Sequence, residues 1–258
     1  MRRLSWCNDG YLRDHKRCAS VGTVVERYFC ECAYFYCHSF CVPALGISLD
    51  VLLGNGVGAP ELVPIVVASL VISSFSLAAA TVVGIVVHDR NTGIALEIFS
   101  RRRIPLAYWC GASILSCATS VLGSVVVLAV LTLTAGVSWS LLFQLVVPSA
   151  LCGVGFGMCA AGVGLLRANP YVLLNWVVAL LPLSSGVVVP LEFYPPPAAA
   201  LLRMLPLTQV VQAWRGGRVP TYHDNFATLL SCALLAVLGC LIAQRFSARM
   251  RKGVLLQT

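Results

Sequence analysis

Apolar residues run without interruption in six windows, at about residues 33–53, 62–87, 106–135, 141–166, 171–189 and 226–243. Each is close to the roughly 20 residues a helix needs to cross about 30 Å of hydrocarbon. Inside them the only formal charge is Asp50, near one end of the first window. The pattern predicts an all-α integral membrane protein with six transmembrane helices in residues 29–258, preceded by a polar arm over residues 1–28. Trp6, Tyr11, Val21 and Tyr28 among the charges of that arm suit an interfacial helix at its end.

Two connections carry more pattern than plain loops. Between the second and third windows lie His88, Asp89, Arg90, Asn91, Thr92 and Gly93, then a short helix-forming stretch with Glu97, then Arg101, Arg102, Arg103 and Pro105. Ile94, Ile98 and Phe99 are expected on one side of that helix, with Arg90 and Glu97 facing water, suited to a soluble partner or to anionic lipid heads. Between the fifth and sixth windows the chain meets Pro190, Glu192, Pro195, Pro196 and Pro197, then turns apolar and helical again from Met204 to Trp214. A proline-stopped helix followed by a segment dipping back into the bilayer needs protein or water for its freed backbone groups. A re-entrant helical hairpin lining a pathway is therefore expected before the last span.

Composition agrees: 59% of residues are hydrophobic, 11% are charged and mean hydropathy is +0.86. With both termini cytoplasmic, 15 of the 18 basic residues fall on the inner side, leaving only Arg203, Arg215 and Arg218 in an outer loop. The positive-inside rule favours that orientation. It also accounts for the net charge of +8, so nucleic acid is not an expected partner.

None of the 12 cysteines falls in an outer loop, so they are expected as reduced thiols packed like small apolar residues. Cys37, His38 and Cys41 form a conceivable soft-metal cluster, set against simple helix packing. The two lysines, Lys16 and Lys252, do not sit in a phosphate loop, and no H-E-x-x-H or G-x-S-x-G occurs. Gly155, Gly157 and Ala160 mimic a dinucleotide fingerprint but lie inside a span with no strand before them. No catalytic residue, cofactor or metal is expected. Gly153, Gly157 and Ala161 recur every four residues and predict a close helix contact, within the chain or with a second subunit.

Ser185-Gly186, Pro190-Leu191, Tyr194-Pro195, Leu205-Pro206-Leu207 and Ala213-Trp214-Arg215-Gly216, with the loop of Asp89, Arg90, Gly93, Glu97 and Pro105, carry a resemblance. The chain is similar to permease subunits of type 2 ATP-binding-cassette exporters, particularly the daunorubicin-resistance-like drug and lipid exporters. Weaker echoes are Pro43 and Arg167-Ala168-Asn169-Pro170. The asparagine and threonine before Gly93, and the cysteine-rich start of the first span, depart from the family pattern.

The resemblance implies a multi-pass protein of the plasma membrane that lacks its own ATPase site. It would work with a separate ATPase subunit and a second permease, identical or related, to export a hydrophobic small molecule or lipid, with antibiotic resistance among the expected outcomes. Asp89, Arg90, Glu97, Arg101, Arg102 and Arg103 would then couple to the ATPase. Pro190, Glu192, Pro195, Pro206 and Arg215 would form an outer gate. Gln144, Asn175, Ser184 and Ser185 would supply a weakly polar lining, and the scarcity of charge disfavours an ion-driven transporter. A non-transporting scaffold or sensor, and a metal-handling protein using Cys37, Cys41 and His38, are the alternatives.

Overall fold

The computed structural model describes residues 62–101, 106–187, 191–203, 207–216, 218 and 222–251, with isolated Leu45, Ser48 and Leu52. Most of the first expected span, the arm of residues 1–28, and Cys37, His38, Cys41 and Asp50 lie outside them.

Every regular element among the described residues is helical. Helix α1 (Leu62–Asn91) is followed by short α2 (Ile94–Arg101) and by α3 (Leu106–Ala135). A π-helical turn, Leu142–Val146, leads directly into α4 (Val147–Leu165). Then come α5 (Val172–Ser184), α6 (Pro196–Leu202), α7 (Thr208–Arg215) and α8 (Tyr222–Arg251). Four of these are long and apolar enough to cross a membrane: Val63–Asn91, Leu106–Ala135, Leu142–Leu165 and Thr228–Phe246. The chain is thus a multi-pass membrane protein in its architecture.

The π turn has a local cause. Pro148 has no N–H to give to the carbonyl four residues back, and the Val147 amide instead reaches Leu142, five back. Helix α5 corrects the expected limits of the fifth span. It stops at Ser184, only 13 residues long and thus about 20 Å, because Gly186 takes φ +82° and donates its amide to Leu183, the glycine stop of a helix end. The stop expected at Pro190 comes four residues earlier, and α5 alone is too short for the hydrocarbon.

The centre of the fold is α4, buried along nearly its whole length, with α1 on one side and α8 on another. Between apolar helices in lipid there is little hydrophobic drive, so close van der Waals approach and hydrogen bonds hold them. At Gly153 and Gly157 the α1 backbone of Phe75 and Ala79 comes within 3 Å of where a side chain would begin. At Gly155 and Gly162 the backbone of α8 does the same through Cys232 and Gly239. Serine hydroxyls add polar contacts between spans. Ser74 and Ser120 join α1 to α3 at 2.9 Å, Ser120 also donates to the Ser74 carbonyl at 2.7 Å, and Ser149 donates to Val71 across α1 and α4.

Candidate functional site

Each end of the helical unit carries a built feature. The first is the turn from α1 through α2 into α3. Helix α1 runs on past the apolar window, so His88, Asp89 and Arg90 occupy its last turn rather than a loop. Thr92 donates its hydroxyl to the His88 and Asp89 carbonyls, and Gly93 turns the chain at φ +82°. The Tyr108 hydroxyl, two residues into α3, donates to the Asp89 carboxylate at 2.8 Å.

Arg90 points across to α4. Its guanidinium donates to the carbonyls of Gly164 and Arg167, both at 2.8 Å. These are carbonyls at the C-terminal end of α4, where helical partners run out and the dipole is negative. The arginine, expected to face water, is committed to capping the central helix.

Helix α2 is turned differently from the sequence expectation. Ala95 and Phe99, one turn apart, are fully buried, whereas Ile94 is 47% exposed and Ile98 half-buried. Phe99 sits edge-on to Tyr108, Trp109 and Phe246 at centroid distances of 5.9, 6.2 and 5.9 Å. One side chain thus fixes the short helix to both α3 and α8, a role that periodicity alone had shared among three residues. Glu97 lies on the exposed side, as expected. Arg101 closes α2 but its side chain, with Arg102 and Arg103, lies outside the described residues.

The second feature caps the opposite end. After Gly186 the chain forms a 3-10 turn at Leu191–Phe193 and then α6 and α7. Tyr194 donates back to the Leu183 carbonyl at 3.2 Å, and the Gln212 carboxamide reaches the Ser185 carbonyl at 3.5 Å, tying the cap to the end of α5. Helix α7 begins at Leu207 in a left-handed conformation, φ +72°, and buries Leu207, Val210 and Val211 against the bundle.

Its outer side borders an open cavity of about 490 Å³ lined by Glu192, Arg203, Thr208, Gln209, Gln212 and Arg218 among others. Thr208 is 1% exposed and its hydroxyl has no hydrogen-bond partner; the Trp214 indole nitrogen is likewise unpartnered. Of the expected gate residues, Glu192 faces this cavity and Pro195 precedes α6, the side chain of Arg215 is outside the described set, and Pro190 and Pro206 lie wholly outside it. Arg203, Thr208 and Gln212 had no pattern to announce them as a group, since only the fold of α6 onto α7 brings them to one cavity.

The glycine face of α4 holds Gly153 and Gly157 against α1 of the same chain, with Ala161 buried on the same helix. The second face, Gly155 and Gly162 against α8, was signalled only by their spacing of seven. The expected weakly polar lining is dispersed. Ser184 and Ser185 give their hydroxyls to carbonyls of α5, Asn175 is exposed on α5 and Gln144 lies in the π turn. No group of three histidine, cysteine or acidic side chains among the described residues is arranged to hold a metal. No protein-family model matches this chain, and no curated protein matches it in sequence.

Proposed function

We propose that this chain is the membrane permease subunit of an ATP-driven exporter, crossing the plasma membrane six times with both ends in the cytoplasm. The observation that carries the reading is α2: a short helix that exposes Glu97 and Ile94 and is bolted through Phe99 to the ends of two spans. A helix lying free on a lipid surface has no need of such an anchor, whereas one that passes force from a soluble partner into a bundle does. In the six-span topology expected from the sequence, 15 of the 18 basic residues would share the side of α2, which favours placing that end in the cytoplasm, where a nucleotide-hydrolysing companion would dock. The cap of α6 and α7 then faces outward. A second permease would complete the pathway, and the apolar, charge-poor spans suit an amphipathic or hydrophobic cargo such as a drug-like molecule or lipid.

The test is affinity purification of the tagged full chain from native membranes, followed by ATPase assay and by efflux of lipophilic dyes from intact cells. An ATPase lacking membrane spans is expected in the purified material, and Glu97→Arg is expected to abolish efflux while leaving the chain in the membrane. Absence of any ATPase, or efflux unchanged by deletion of the chain, overturns the proposal.

A further inference from the structure

The cavity beside α7 has a lining more specific than a gate requires. A carboxylate (Glu192), two guanidinium groups (Arg203 and Arg218) and two carboxamides (Gln209 and Gln212) share about 490 Å³, within the range of small-ligand sites. Opposite charges on one wall normally find each other, yet no described residue pairs with the Glu192 carboxylate or the Arg203 guanidinium. The first turn of α7 borders the same cavity through Thr208 and Gln209, and Leu207 offers it no side-chain cap. The buried Thr208 side chain also borders this cavity, and its hydroxyl has no hydrogen-bond partner.

We propose that this cavity binds a zwitterionic head group, an oxyanion with an amine a few ångströms away. The oxyanion is held by Arg203 and the start of α7, and the amine by Glu192. Planar guanidinium groups match the paired oxygens of phosphate or carboxylate, and the single carboxylate gives the amine its counter-charge. The head group can belong to a membrane lipid or to a free phospho-amine. The inference rests on the exporter reading only for placing the cavity on the outer surface.

Titration calorimetry on the purified full chain in maltoside micelles tests it with three probes: phosphoethanolamine, inorganic phosphate and ethanolamine. Phosphoethanolamine is expected to bind about tenfold more tightly than either fragment, since one charge-assisted contact carries about that factor. Arg203→Gln is expected to weaken it about tenfold, and Glu192→Gln to erase its advantage over phosphate. Both side chains are exposed, so folding is retained, and Thr208→Val separately tests the buried hydroxyl. Equal binding of phosphoethanolamine and phosphate to the unaltered chain, or an affinity indifferent to Arg203→Gln, overturns the proposal. Repeating the titration in nanodiscs with and without phosphatidylethanolamine distinguishes the sources. Loss of the soluble probe's binding when that lipid is present assigns the site to lipid, and unchanged binding assigns it to a solute. None of these measurements involves ATP, so a failed exporter reading leaves their outcome intact.

Discussion

Gly153→Ala isolates the contact on which the central packing depends. An added Cβ would lie 2.3 Å from the Phe75 carbonyl oxygen and 2.9 Å from its Cα and carbonyl carbon, all backbone atoms of α1 that no rotamer change can move. Ordinary contact starts near 3.4 Å, so α1 and α4 must separate by about 1 Å at this level. A gap of that size forfeits about a quarter to a half of each dispersion contact it opens. In lipid, where dispersion rather than water drives helix association, overpacking of this kind costs about 1–3 kcal/mol. Alanine returns at most about 1 kcal/mol of helix propensity, so net destabilisation is expected. Gly111→Ala is the matched control, because Gly111 is exposed on α3 and an added Cβ there meets nothing within 4 Å. Unfolding of both variants in mixed micelles, followed by circular dichroism as dodecyl sulfate is raised, should place Gly153→Ala below the parent and Gly111→Ala at or above it. A Gly153→Ala protein as stable as Gly111→Ala would refute the reasoning.

Arg90→Gln removes the cap on α4 and should cost about 1–3 kcal/mol, with faster amide hydrogen exchange confined to residues around Gly164 and Arg167. Phe99→Ala empties a fully buried aromatic site and should cost about 3–5 kcal/mol, and trypsin should then cut at Arg101 in protein whose spans remain protected. Gly186→Ala forces a side chain into φ +82° and should cost about 1–2 kcal/mol. Its Cβ also meets the flexible Gln212 Nε2 at 2.3 Å, so Gln212→Ala in the same protein should recover the clash but not the backbone strain, read as a partial rescue of thermal stability.

Hydropathy located α3 to the residue, because Pro105 precedes it and Gly136 at φ +66° follows it, so the lipid boundary and the backbone signals coincide. It cut α1 and α8 short for the opposite reason. His88, Asp89 and Arg90 leave the apolar window while the helical hydrogen bonds continue, as they do through Arg245 and Arg251. Apolar runs report the surrounding solvent, and helix ends report backbone partners. The early end of α5 was written in Gly186, but three valines after it extended the apolar run. The contacts of Arg90 lie 74 and 77 residues away, and nothing local distinguishes a capping arginine from a solvated one. In the same way the face of Gly155 acquires meaning only when Cys232, on the last helix, is laid against it.

The two glycine faces of α4 have a mechanical consequence. Where α1 and α8 touch α4 backbone to backbone, sliding by a fraction of an ångström brings atoms into overlap, so these three helices behave as one stiff body. Arg90 joins the end of α1 to the end of α4, and Phe99 joins α2 to α8, which extends that body to the turn on which a companion would press. Helix α7 packs on α1 and α8 at the far end, so it belongs to the same body. Displacement of α2 would therefore arrive at the cavity as rigid rotation rather than as gradual bending. The compliance must lie where packing is thin: at the turn after Gly136, at the π turn before Pro148, and along α5, which touches α1 and α4 in few places. A permease built this way would open by tilting its α1–α4–α8 body, with α3 bonded to it through Ser74 and Ser120, against α5. A crosslink between α1 and α4 would then leave export intact, while one between α4 and α5 would arrest it.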